Sequence, residues 1–227
     1  MYTKSGIHLG HPVADRQDTS EILRYSYRVW QVSMRLMAGL ALLIVAPIFT
    51  AIWLVNLFGD RGPLFFKQQR RGYNGIPFEI FKLRTMRVGS EKQTALGTLN
   101  DHPQVTRLGR TLRTLKIDEL PQLLNIARGD MSFVGPRPIP MSLDVELSKH
   151  IYGFQARYAT LPGLTSIGQI CIKDNALDDQ LVADWKLRFE GELHYIRNQS
   201  ISYDLLMVAM TAAYITKKLR RSQPRSK

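Results

Sequence analysis

Two adjacent carboxylates, Asp118 and Glu119, stand immediately before an apolar stripe made of Leu120, Leu123, Leu124 and Ala127. Pro121 falls in what would be the first turn of a helix, where a missing N–H removes no intrahelical bond. Gly129 supplies the stop signal. The pair is therefore expected at a helix N-terminus, which admits two roles. An aspartate there can simply cap the helix, accepting bonds from its free backbone N–H groups. The same environment also keeps a carboxylate ionised and aimed outward, ready to act as a nucleophile or to hold a divalent metal. Local physics leaves both open.

Beyond this stripe the chain runs Asp130-Met131-Ser132-Phe133-Val134-Gly135-Pro136-Arg137-Pro138. Two prolines bracketing an arginine fix the backbone around a rigid, bidentate donor suited to a phosphate or a flat nucleotide base. A rigid surface turn reads the same way in isolation. The sequence has no Gly-rich phosphate loop, no G-x-G-x-x-G fingerprint, no G-x-S-x-G elbow and no His/Cys metal cluster, its 5 histidines being scattered.

The elements that would carry these residues begin with a membrane segment. From Leu36 to Phe58 there is no charged residue, and as a helix this stretch of about 23 residues is roughly 35 Å long, enough to cross a hydrocarbon core. It starts too late and runs too long for a cleavable signal peptide. Trp30 and Trp53 lie near its ends, at positions suited to the headgroup level. Pro47 in its middle predicts a kink. Arg24, Arg28 and Arg35 precede the segment, and Arg61, Lys67, Arg70 and Arg71 follow it. Both flanks thus carry the charge that prefers the cytoplasmic side. A kinked spanning helix and a re-entrant helix that bends at Pro47 both stay open on this evidence. Leu205–Ile215 is too short to cross and suits a helix buried in the domain or lying at the interface.

In the remainder, Phe65–Arg70 and Ile76–Arg84 read as strands joined by Asn74-Gly75, a small hairpin. Residues 87–104 read as a long loop. Val105, Leu108, Leu112 and Leu115 share one arc of a helix, with Arg107, Arg110, Arg113 and Lys116 on the rest; that basic face is either solvated or turned to substrate or lipid. Leu181, Trp185, Phe189, Leu193 and Ile196 predict a longer amphipathic helix. The net charge of +12 across 227 residues favours anionic partners without choosing among them. No nucleic-acid-binding motif is present. Cys171, the 1 cysteine, excludes an internal disulfide and reads as a small buried apolar residue in a cytosol-facing domain.

Taken in order, these motifs resemble the bacterial sugar transferase family, the monotopic polyprenyl-phosphate sugar-1-phosphate transferases or small phosphoglycosyl transferases. The resemblance runs through Gly62-Pro63-Leu64-Phe65-Phe66-Lys67-Gln68, Arg71-Gly72, Gly75, Phe78 and Lys82-Leu83-Arg84-Thr85-Met86. It is densest at Asp118-Glu119-Leu120-Pro121-Gln122-Leu123-Leu124-Asn125, Gly129-Asp130-Met131-Ser132 and Val134-Gly135-Pro136-Arg137-Pro138, with weaker echoes at Pro162-Gly163-Leu164-Thr165 and Tyr195-Ile196-Arg197-Asn198.

The resemblance implies an enzyme in the cytoplasmic (inner) bacterial membrane, its catalytic domain on the cytoplasmic face. Its expected partners are a UDP-sugar donor, an undecaprenyl phosphate acceptor and Mg²⁺, with no nucleic acid. Asp118 would attack the sugar-bearing phosphate and release UMP, and the covalent phospho-sugar would then pass to the lipid phosphate. Glu119 would assist, and Asp118 and Glu119 would hold the metal. Pro136, Arg137 and Pro138 would recognise the nucleotide, while Lys82 and Arg84 would hold substrate phosphates. It also favours re-entry at Pro47. A membrane-tethered scaffold lacking turnover is the competing expectation, and the intact Asp-Glu pair opposes it.

The fold class expected is α+β and predominantly helical: a re-entrant, Pro-kinked membrane helix followed by a cytosolic, interface-associated catalytic domain with a small β-hairpin. Residues 1–27 are expected as a polar tail, 28–60 as the re-entrant helix and 61–227 as the catalytic domain. Three positions depart from the family pattern. Ser33-Met34-Arg35 stand where an aspartate often follows a basic pair, Ala46 stands where a serine often precedes the proline, and Leu161 stands where an arginine often precedes Pro-Gly.

Overall fold

The computed structural model describes residues 16–57, 62–90, 102–171 and 178–222. Helix α1, Arg16–Leu57, comes first. It reaches back into the segment expected as a polar tail, because residues 16–27 contain no glycine or proline to stop it. Pro47 lies inside the helix. Thr50 Oγ1 donates to Ala46 O across it, at 3.2 Å; a hydroxyl beside the proline thus comes from Thr50 and not from residue 46.

Between Tyr25 and Leu57 the helix is long and apolar enough to cross a membrane, and most of its apolar side chains are exposed. One stripe of it is covered. Ala38, Ala41, Leu42 and Val45 pack against Ile80, Leu123, Ile126 and Met131. Further along, Phe49 and Ile52 pack against Leu83 and Leu112. The steps of three and four residues keep this stripe on one helix face.

Strands β1, Phe65–Arg71, and β2, Pro77–Leu83, form the expected antiparallel hairpin, with Phe65 opposite Leu83 and Arg71 opposite Pro77. Asn74 and Gly75 turn it with φ of 54° and 73°, the left-handed conformations an Asn-Gly turn favours. Helix α2, Arg107–Thr114, follows residues 91–101, which lie outside the described ones together with most of the expected loop. Thr106 caps α2 by accepting from Gly109 N at 2.8 Å.

Helix α3, Gln122–Arg128, is docked on β2 by one buried side chain. Asn125 Oδ1 accepts from Phe81 N at 3.1 Å, and its Nδ2 donates to Glu79 O at 2.6 Å. The amide thereby pairs with the strand edge as another strand would. Gly129 ends the helix at φ 87°.

No pattern in the sequence signals the second sheet. Strands β3, Ser132–Val134, and β4, Gly163–Thr165, pair in parallel, and helix α4, Met141–His150, lies in the connection between them. Helices α5, Ile167–Cys171, α6, Asp178–Arg197, and α7, Ile201–Ser222, complete the described chain. Ile139, Leu143, Leu147, Ile151 and Phe154 pack with Trp185 and Phe189 of α6. Met207 of α7 packs with Val134 and Tyr195, while Leu205, Leu206, Val208, Met210 and Tyr214 stay exposed. Cys171 is exposed as well, not the buried apolar residue expected.

Candidate active site

Asp118 and Glu119 lie in a 3₁₀ turn, Ile117–Glu119, one step before α3. Lys116 precedes them at φ 60°, ψ 18°. A left-handed lysine is a strained conformation of the kind that clusters at functional sites. The capping role does not survive in this geometry. Pro121 occupies the N-cap position of α3, and no side chain caps the helix. Both carboxylates are buried, and Asp118 Oδ1 has no hydrogen-bond partner among the described residues.

Glu119 is placed differently. Its Oε1 accepts from Lys82 Nζ at 3.3 Å and from Arg137 Nη2 at 3.0 Å. Lys82 comes from β2 and Arg137 from the turn after β3, so the carboxylate joins the two sheets. Burial alone would raise the Glu119 pKa, but Arg137, Lys82 and Lys116 outweigh it and hold the group well below the usual carboxylate range. Asp118 moves the other way: burial, then the neighbouring Glu119 charge, push it up against the pull of Lys82, Lys116 and Arg113. Two adjacent carboxylates pushed apart in this manner can carry two different roles. Burial also lowers the Lys82 pKa, with Glu119 opposing.

The Pro136-Arg137-Pro138 turn is gripped from behind. Arg157 Nη2 donates to Arg137 O at 2.6 Å, and Arg137 N donates to Glu192 Oε1 at 3.0 Å. Arg157 and Glu192 pair with each other at 3.0 Å, their side chains each 2% exposed. The guanidinium of Arg157 sits over Phe154 and Trp185, 4.7 and 5.5 Å from the ring centroids. Arg70, also buried, donates from Nη1 to Pro138 O at 3.3 Å. Burial, reinforced by Arg137, pushes its pKa down to about 9.

The structure thus brings Asp118, Glu119, Lys82 and Arg137 together, with Pro136 and Pro138 shaping the turn. Arg84 lies two residues beyond Lys82 and donates from Nε to Pro63 O at 3.0 Å. Pro47 has no described contact with the carboxylates. Arg157 and Glu192 do not stand out in the sequence, and Arg70 does so only as one of the basic residues that follow the membrane segment. Glu192 did leave a trace, since it shares a helical face with Trp185, Phe189 and Ile196; a carboxylate on an apolar arc signals a buried partner.

No group of three or more His, Cys, Asp or Glu gathers among the described residues. A site relying on protein ligands alone is therefore not present among them. Magnesium commonly takes one or two carboxylates and fills its remaining positions with water and substrate phosphates. An orphaned Asp118 oxygen beside the anionic Glu119 fits that pattern.

Residues 26–218 match the model of the bacterial sugar transferase family, and the chain belongs to that family. It is 38% identical over 174 residues to the UDP-glucose:undecaprenyl-phosphate glucose-1-phosphate transferase of Caulobacter vibrioides, covering 77% of this chain and 64% of the relative. With the protein of the same name from Escherichia coli K12 the identity is 34% over 205 residues, covering 89% and 43%. With the exopolysaccharide production protein ExoY of Sinorhizobium fredii it is 35% over 193 residues, covering 78% and 80%. The chain thus spans less than two thirds of the first two relatives.

Proposed function

We propose that this protein is a membrane-bound phosphoglycosyl transferase that moves a sugar 1-phosphate from a UDP-sugar to undecaprenyl phosphate, in exopolysaccharide or related glycoconjugate synthesis. The observation that carries this reading is the buried, unpartnered Oδ1 of Asp118 beside a carboxylate already held by Lys82 and Arg137. A carboxylate oxygen stripped of water and donors is a competent nucleophile toward a phosphorus atom. The substrate classes are taken from what its relatives are named for.

In this reading Asp118 Oδ1 attacks the phosphorus that bears the sugar. The bond from that phosphorus to the bridging oxygen breaks, and UMP leaves. An oxygen of undecaprenyl phosphate then attacks the same phosphorus, freeing Asp118 and forming the lipid diphosphate sugar. Arg137 and Lys82 offer fixed positive charge to the phosphates, and Glu119 keeps both aimed. Asp118 and Glu119 would hold Mg²⁺, which supplies charge neutralisation at the diphosphate.

Helix α1 is read as re-entrant at Pro47, with both flanks on the cytoplasmic side. Its contacts with the catalytic domain support this. Ala38 to Val45 and Phe49 to Ile52 lie on opposite sides of Pro47, and both stretches pack on that domain. From residue 38 to residue 52 is roughly 21 Å of helix, most of a hydrocarbon core about 30 Å thick. A helix spanning upright would have to draw the domain's charged surface into the bilayer with it.

The deciding experiment supplies purified protein in lipid with Mg²⁺, undecaprenyl phosphate and a panel of UDP-sugars beginning with UDP-glucose, and measures UMP. Release by the parent and none by a folded Asp118→Asn variant is expected. Full turnover in that variant would end the covalent reading. Cysteine labelling at residues 24 and 61 from the cytoplasmic side tests the topology, and labelling of residue 24 only from the opposite side would mean a spanning helix.

A further inference from the structure

Asp204, in the first turn of α7, is 4% exposed and has no cation among its described partners. Three neutral donors surround it instead. Trp30 Nε1 and Tyr27 OH of α1 each donate to Oδ2 at 3.0 Å, and Tyr195 OH of α6 donates to Oδ1 at 2.8 Å. Gln199 Nε2 braces the cluster by donating to Tyr27 OH at 2.7 Å and to Tyr195 OH at 3.1 Å. Tyr195 OH also lies 3.1 Å from Val134 O, which precedes the Gly135-Pro136-Arg137 turn. A carboxylate buried without a cation is a costly feature, kept where every donor has a fixed place.

Elsewhere among the described residues the stripe of α1 that packs on the domain is mostly apolar, with small side chains such as Ala38 and Ala41, while the Arg35 guanidinium lies against Gly129 and Asn56 Nδ2 donates to Gly62 O at 2.8 Å just past the helix end. Lipid is as apolar as those side chains, so in a bilayer such contacts have little hydrophobic drive and do little to resist a slip of one turn. Directional bonds from Tyr27 and Trp30, three residues apart on one face, do resist it.

We propose that Asp204, Tyr195, Tyr27 and Trp30 are positioning residues that register α1 against the catalytic domain and so bring the lipid acceptor's phosphate to Asp118. This rests on the proposed function above, in which undecaprenyl phosphate is the acceptor and α1 lies in the membrane that holds it. The donor turn has its own support in Arg157 and Glu192. Trp30→Phe removes one α1 donor and leaves the Tyr195–Val134 contact in place, so its effect falls on the acceptor side.

The experiment uses the full chain in nanodiscs containing undecaprenyl phosphate. One spin label goes on the native, exposed Cys171 and a second on Leu40→Cys, an exposed α1 position. The parent is expected to give one narrow distance distribution. Trp30→Phe and Asp204→Asn are expected to add a population displaced by roughly 5 Å, one helical turn. In the same variants without labels, the acceptor KM rises at least about fivefold while the donor KM and the single-turnover UMP burst stay within about twofold, the size of effect a lost register on one side implies. Unchanged distances in both variants overturn the proposal, as does a broadened distribution with the parent's acceptor KM. Should the parent turn over no UDP-sugar, the functional reading fails, and the distance measurement still decides whether the cluster sets the register.

Discussion

Glu192 Oε1 lies 3.0 Å from Arg157 Nη2 and 3.0 Å from the backbone nitrogen of Arg137. Arg157 Nη2 in turn reaches the carbonyl of the same arginine. Both polar groups of the Arg137 backbone are thereby held by a buried ion pair, which is how the turn presents the Arg137 guanidinium to Glu119 with so little freedom. Leaving one member of a buried pair without its partner costs on the order of 3–5 kcal/mol. Glu192→Gln keeps the shape and weakens the grip. It is expected to lower the unfolding midpoint and to raise the donor KM at least about tenfold, through misplacement of a substrate-positioning arginine. An unchanged donor KM in a destabilised variant would reduce the pair to a structural role.

Glu119 offers a second test. Its Oε1 is shared by Lys82 and Arg137, so Glu119→Gln leaves two largely buried cations to repel each other. Turnover is expected to fall on the order of 100-fold, as when a preorganised charge contact is lost. Arg137→Lys should fall similarly, because an ammonium does not reproduce the planar fork. Comparing kcat for the two single variants and the double variant checks this. If the losses simply multiply, the residues act independently and the shared-contact account fails.

How much of this was legible in the sequence differs from element to element. The hairpin was, since Asn74-Gly75 states its turn chemistry outright, and so were α2 and α6, whose apolar spacing is local. The parallel pairing of β3 with β4 was not. Each strand is 3 residues long, too short for alternation to show, and the pairing depends on Gly135 and Gly163 meeting across a long connection. The carboxylate pair was visible, yet its expected cap was replaced by Pro121 once Lys116 took a left-handed conformation. Asn125 sat inside the motif that carried the family resemblance, where it passes for chemistry. Its bonds to Phe81 and Glu79 make it a docking residue for α3. Arg157 and Asp204 depend on partners far away in sequence, and no local pattern encodes those.

The glycine contact between the short strands gives a third prediction. A Cβ on Gly163 would lie 2.1 Å from Gly135 N and 2.6 Å from Val134 C. Both are backbone atoms with no flexible end to move aside. Gly163→Ala is therefore expected to destabilise the protein by about 3 kcal/mol, the upper range for overpacking, and to weaken donor binding by displacing the turn that follows β3. Gly39→Ala is the control, because nothing lies within 4 Å of a Cβ there. Thermal denaturation of the two variants side by side is the measurement, and equal midpoints would refute the steric account.

Asp204 carries the pH prediction. Burial pushes its carboxyl above the ordinary 3.8, against the hydrogen bonds from Tyr195, Trp30 and Tyr27. The folded protein then holds the Asp204 proton more tightly than the unfolded chain does. The sign follows from linkage: this site's contribution is most favourable below the ordinary aspartate value, declines as pH rises toward the raised folded value, and is level above it. Asp204→Asn has no proton to release, so it lacks this decline. Other carboxylates add slopes of their own, but they are common to both proteins and cancel in the difference. Parent stability minus Asp204→Asn stability, from denaturant unfolding in detergent across about pH 4 to 7, is therefore expected to fall as pH rises. A difference that rises over that range would mean that the three hydroxyl and indole donors outweigh burial and hold the carboxylate below its ordinary value.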